Sequence, residues 1–149
     1  QIDDTGGALG VAKPVLECDG PVYLADFTSD AVKGLVGAAR SYRRSALTRF
    51  PPLDRSCPTE DSTFVLRCLM LGCGWYGVEP LVKRRIHDTN LSGVTSLQAM
   101  DYTAIWRQYR ADADFALALG WIEKAIHSAI MRWIGRTEIA RNLAQKSSH

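Results

Sequence analysis

Three observations predict an α/β fold. Short apolar groups punctuated by glycine and proline fill residues 1–31, an apolar run at helical spacing follows residue 60, and helix-forming residues run from 96 nearly to the end. The 149 residues, 46% hydrophobic and 23% charged, suffice for one core or for one large piece of a bigger fold. The expected organisation is a unit of short strands and helices over 1–95, followed by a helical extension over 96–149.

Charge and cysteine usage narrow the function classes. A net charge of +2 argues against a nucleic-acid partner held by a large positive field, and no basic groove with stacking aromatics is legible. Cys18, Cys57, Cys68 and Cys73 are irregularly spaced and form no C-x-x-C pair. Reduced thiols in a cytoplasmic setting are therefore expected, rather than disulfides or a cysteine-bound metal. No apolar run approaches the roughly 18 residues that span a bilayer. The chain opens on Gln1 rather than Met, which reads as a cut end, so the expectation is a piece of a larger functional unit.

Taken in order, residues 1–31 carry Gly6, Gly7, Gly10 and Gly20 with Pro14 and Pro21, and read as short strands and loops. In "VKGLVGAARSYRRSALTRF" a glycine-bearing strand or loop around Gly34 and Gly37 leads into a short helix that stops before Pro51-Pro52. In "PTEDSTFVLRCLMLG" the residues Phe64, Val65, Cys68, Leu69 and Leu71 approximate one helical face, Thr59 is the expected N-cap and Gly72 the stop. Glu60 and Asp61 then fall in the first turn, where the unpaired N–H groups and the macrodipole favour a negative charge by about 0.3–1 kcal/mol each. Capping alone accounts for both acids; whether they also do chemistry is left open by the spacing.

"WYGVEPLVKRRIH" reads as a strand, a kink at Glu79-Pro80 and a second extended piece. There Lys83, Arg85 and His87 share one face and Val82, Arg84 and Ile86 the other. "DTNLSG" is a polar turn, and Ser96 is expected to cap a helical region with breaks at Gly120 and Gly135. Within that region Asp112 and Asp114 stand two apart, pointing about 200° from each other, and cannot share a cation from one helix face. His127 reads as a bystander. Trp106, Trp121 and Trp133 alternate with basic residues, a pattern that packs on the rest of the chain, joins two copies into a homodimer, or lies on a membrane surface.

Three segments occur in a telling order: "GLVGAARSYRRSAL", "PTEDSTFVLRCLMLG" and "EPLVKRRIHDTNLS". This set resembles the C-terminal half of the catalytic domain of family 2 glycosyltransferases, which have the Rossmann-like GT-A fold. The resemblance covers roughly residues 32 to 93, with Arg85, His87, Asn90 and Ser92 matching the closing motif. It implies a partial GT-A domain on the acceptor side of an enzyme that moves a sugar from a nucleotide-diphosphate donor to an acceptor hydroxyl, with inversion. The resemblance also implies an acceptor that is lipid-linked or a polysaccharide, and a cytoplasmic location, with peripheral contact at the inner face of the membrane as an alternative.

On the same resemblance Asp61 is the catalytic base and Glu60 its supporting neighbour. A helix N-terminus favours the ionised carboxylate that deprotonating an alcohol requires, so capping and catalysis are compatible. His87 is placed near a divalent cation, Mn²⁺ or Mg²⁺, that neutralises the leaving diphosphate. Arg84 and Arg85 hold phosphate oxygens or form a solvated charged face. Gly37, with Gly34, lets substrate approach the backbone or serves strand packing. The family's donor-binding half, which ends in an acidic motif on the metal, is not legible; "QIDDT" offers only Asp3 and Asp4. The chain alone is therefore expected to be inactive. The rival reading is a non-catalytic interaction module whose tail recruits a partner or membrane.

Overall fold

The computed structural model describes residues 1–11, 14–31, 39–87 and 99–146. Among them five helices accompany one two-stranded sheet, a mixed α/β arrangement as the sequence predicts. Strand β1 (Gly20–Val22) pairs antiparallel with β2 (Gly74–Tyr76), Gly20 opposite Tyr76 and Val22 opposite Gly74. Two long-range hydrogen bonds pin this ribbon: the Val15 N–H donates to Tyr76 Oη at 2.8 Å, and the Val78 N–H to Asp19 Oδ1 at 2.7 Å.

Helix α1 (Leu24–Thr28) follows β1, and α2 (Arg44–Leu47) stops ahead of Pro51-Pro52 as expected. Helix α3 (Asp61–Leu71) ends at Gly72. Its buried residues are Thr63, Leu66, Arg67, Leu69 and Met70, whereas Phe64, Val65, Cys68 and Leu71 are only half-buried. The inward face is thus rotated from the one that apolar spacing predicts, because Arg67 is drawn inward by a buried partner described below.

Helix α4 (Tyr102–Ala118) is capped by Asp101, whose carboxylate accepts from the Ala104 N–H at 3.1 Å. Ser96, the cap expected from sequence, lies outside the described residues. The turn into α5 (Lys124–Lys146) passes through Gly120 at φ +68°, a left-handed conformation that suits glycine. Gly135, the other expected break, lies inside α5. An interior glycine costs only about 1 kcal/mol, and the buried Trp133 and Ile134 on its N-terminal side hold the helix through it.

The core is built mainly by α3, α4 and α5: Leu66 and Met70 pack with Trp106, Tyr109, Ala113, Ile130 and Ile134, and Phe50 joins from the loop after α2. It draws residues from both sides of position 95. Trp106 and Trp133 are buried, and Trp121 stacks edge-on to Phe50 at 5.2 Å and Phe115 at 5.6 Å, so the aromatic series of the tail faces inward. No described helix is long and apolar enough to cross a membrane.

A second small ribbon gathers the chain's beginning. Ile2 bridges Ala8 antiparallel and Arg85 parallel, its N–H donating to Arg84 O at 2.9 Å while its carbonyl accepts from Ile86 N–H at 2.8 Å. Along this extended piece Lys83, Arg85 and His87 are exposed and Arg84 and Ile86 half-buried, as the sequence alternation predicts, but Val82, expected on the inner face, is exposed.

Candidate functional site

The acidic pair sits where α3 begins. Glu60 occupies the N-cap position with near-helical backbone angles and makes no side-chain capping hydrogen bond; its carbonyl accepts from the Phe64 N–H at 2.8 Å. Thr59 is therefore not the cap. The preceding loop turns on Asp54, whose Oδ1 accepts from both the N–H and the hydroxyl of Ser56 at 2.7 Å, holding that carboxyl below its ordinary range. Thr59 O is left to accept from Cys57 Sγ at 3.3 Å and Thr63 Oγ1 at 3.5 Å. Glu60 is exposed and Asp61 half-buried.

Around Asp61 the fold assembles polar groups from three segments. Tyr42 Oη donates to the Asp61 backbone carbonyl at 3.3 Å, and its ring meets Phe64 edge-on at 5.7 Å. Burial pushes the Tyr42 phenol up; a hydrogen bond and the charge of Arg40 oppose that rise, and the Asp61 carboxylate adds to it. From α4, Tyr109 reaches the same place. Its burial pushes the phenol up to about 12, against a hydrogen bond with the Ser62 side chain and the charge of Arg40. Tyr42 thus stands against Asp61, Tyr109 against Ser62, and the charge of Arg40 reaches both phenols.

Farther along the helix, Arg67 fixes its rotation. Nε and Nη2 donate to the two carboxylate oxygens of Asp112, each at 2.7 Å, and the side chains are 2% and 3% exposed. Gln108 Nε2 donates to Asp112 Oδ1 at 2.9 Å, and Gln108 Oε1 accepts the Asp54 N–H at 2.8 Å. The guanidinium also lies 5.0 Å from the Phe50 ring. One buried network therefore ties α3, α4 and the Asp54 loop together, less than two helical turns beyond Asp61. Sequence reasoning missed it. The signal was an arginine inside an apolar run, together with an aspartate considered only as a metal ligand.

The second group of expected site residues is positioned by the N-terminal loop. Arg85 Nη1 donates to Asp3 O at 3.1 Å and to Asp4 O, across 82 and 81 positions of sequence. Asp3 Oδ1 accepts from Thr5 N–H at 3.0 Å and from Thr5 Oγ1 and Gly7 N–H at 2.7 Å, and these bonds lower its carboxyl. The Asp3-Asp4 pair, which sequence position alone separates from everything else, thus lies beside the Arg84, Arg85 and His87 segment.

These residues do not complete a cation site. Among the described residues no group of three or more His, Cys, Asp or Glu side chains stands together to hold a metal, and the Asp3 carboxylate is engaged by its own loop. His87 offers a single imidazole. Gly34, Gly37, Asn90 and Ser92 lie outside the described residues. Asp112 and Asp114 diverge as expected, the first to Arg67, the second to His127 Nε2 at 2.7 Å. His127 is accordingly no bystander: it ties α5 to α4. Comparison with protein-family models, curated proteins and solved structures finds no match for this chain.

Proposed function

We propose that the chain is the acceptor-side part of a GT-A-type glycosyltransferase and that Asp61 is its base. The observation carrying this reading is the setting of Asp61: first residue of α3, half-exposed, against Tyr42, on a helix whose first turn Tyr109 also meets at Ser62 and whose rotation Arg67 and Asp112 lock. A general base needs a fixed position, access to the substrate and a negative charge. In the proposed step the acceptor hydroxyl oxygen attacks the anomeric carbon of a nucleotide-diphosphate sugar. Its proton passes to the Asp61 carboxylate, the bond from carbon to the diphosphate oxygen breaks, and the anomeric centre inverts. Glu60, exposed at the N-cap position, adds negative potential beside the base. The meeting of the Asp3-Asp4 loop with Arg85 supports the reading only as a gathering of acids beside the basic segment that the resemblance assigns to the donor phosphates. A divalent cation would supply charge neutralisation at the leaving diphosphate; of the described segment His87 alone could offer it a ligand, and the remaining ligands would have to come from elsewhere.

The test is sugar transfer by the full-length protein. Replacing Asp61→Asn lowers turnover by about 100-fold or more while donor binding holds. Glu60→Gln has the smaller effect. Turnover unchanged in Asp61→Asn removes the base assignment.

A further inference from the structure

The outer face of α5 carries an unused chemical pattern. Arg132, Arg136, Ile139 and Leu143 follow one another at steps of four, three and four residues, which places them on a single stripe opposite the buried Ile130 and Ile134. All four are exposed, Ile139 and Leu143 at 62% each. Beside the stripe an open groove of about 760 Å³ runs between α5 and the end of α1, lined by Thr28, Ser29, Asp30, Arg132 and Arg136 among others. Gly135 also lines it, and nothing lies within 4 Å of where a Cβ would project.

Charge decides what such a face can meet. Helix α5 holds Lys124, Arg132, Arg136, Arg141 and Lys146 against one acid, Glu138, and that acid accepts from Arg110 Nη2 at 2.5 Å. The carboxylate of Asp30, at the groove's edge, accepts from Trp133 Nε1 at 3.1 Å. The stripe therefore presents two guanidinium groups followed by two aliphatic side chains. Nucleic acid would use the first pair but leave the second in water. Antiparallel two-fold pairing of copies through this stripe sets Arg132 and Arg136 against Leu143 and Ile139 of the other copy, so the guanidinium groups meet no carboxylate. An anionic bilayer suits both halves: lipid phosphates meet the arginines while Ile139 and Leu143 enter the boundary between headgroups and acyl chains.

We infer that the outer face of α5 docks on an anionic membrane surface. This goes beyond the glycosyl-transfer reading and stands or falls independently of it. Vesicle co-sedimentation tests it, with phosphatidylcholine alone and with phosphatidylcholine containing phosphatidylserine. The protein is expected to sediment only with the anionic vesicles, and the double substitution Arg132→Glu, Arg136→Glu to lower partitioning by at least about tenfold. Arg136 also donates to Thr28 O at 3.0 Å, so a second variant, Arg132→Glu with Leu143→Ser, leaves that contact in place and is expected to weaken binding as well. Circular dichroism confirms that the helices persist. Three results overturn the inference: no binding to anionic vesicles, binding indifferent to both variants, or binding abolished by duplex DNA that itself forms a complex with the protein. A solution dimer dissolved by Ile139→Ser and Leu143→Ser, without any vesicle partitioning, overturns it too and assigns the face to a second copy.

Discussion

Tyr109 and Ser62 meet where α4 passes the start of α3, and the phenol there holds its proton up to about 12. An unfolded tyrosine releases it near 10. Between those values the unfolded chain binds fewer protons than the folded one, so stability is fully present below about pH 10 and declines as pH rises toward about 12. The full loss approaches about 2–3 kcal/mol. Denaturant unfolding across this range should show that decline, and Tyr109→Phe should flatten it; a wild-type profile as flat as the variant's would contradict the burial of a neutral phenol. The acids of the site were legible as residues, since a carboxylate pair ahead of an apolar run is visible in any reading of the chain. The side chains that meet the first turn of α3 were not. Tyr42 and Tyr109 lie 67 positions apart, and only tertiary packing brings them to one helix end.

At the scale of elements, two glycines with the same sequence signature have opposite roles. Gly120 sits at φ +68° in the α4–α5 turn, where the Trp121 N–H donates to Ala116 O at 2.9 Å. Gly135 lies in the middle of α5 with open space about its Cβ direction. Alanine at Gly120 should therefore lower stability by about 1 kcal/mol or more, whereas alanine at Gly135 should raise it by about 0.5–1 kcal/mol. Urea unfolding of the two variants measures both, and shifts of the same sign would contradict this division. Element ends proved legible at Pro51-Pro52, Gly72 and Gly120, but not at Thr59 or Gly135, where the same local signals failed. The orientation of α3 was not, because a periodicity count treats Arg67 as polar and assigns it to solvent. Its buried partner, 45 residues on, reverses that assignment.

Across the whole molecule, the pair formed by Arg67 and Asp112 links the segment bearing the candidate base to the helical hairpin behind it. Taking two charges out of water is costly, and the bidentate geometry with the added Gln108 bond offsets that cost. Breaking the pair by Arg67→Met leaves a buried carboxylate and should cost about 3–5 kcal/mol, while Arg67→Met combined with Asp112→Leu should be near neutral or stabilising. Guanidinium unfolding of the single and double variants decides it; losses that simply add would show that the two side chains do not act as a unit. The α/β class was readable from pattern, since strands and helices announce themselves by period. That the tail's tryptophans form the core with α3 was not, because an aromatic stripe looks the same whether it faces protein, a second copy or lipid.

The bridge between Ile2 and residues 84–86 has a consequence in chain entropy. Helices α4 and α5 meet after a turn of a few residues, but the N-terminal ribbon closes a loop of more than eighty. On logarithmic scaling that longer closure costs about 2–3 kcal/mol more, and only a few backbone hydrogen bonds, with Arg85 on the Asp3 and Asp4 carbonyls, repay it. The helical hairpin is thus the cheaper of the two closures. The meeting of the Asp3-Asp4 loop with Arg85 is the costlier closure, and pairing of β1 with β2 shortens the loop it must close.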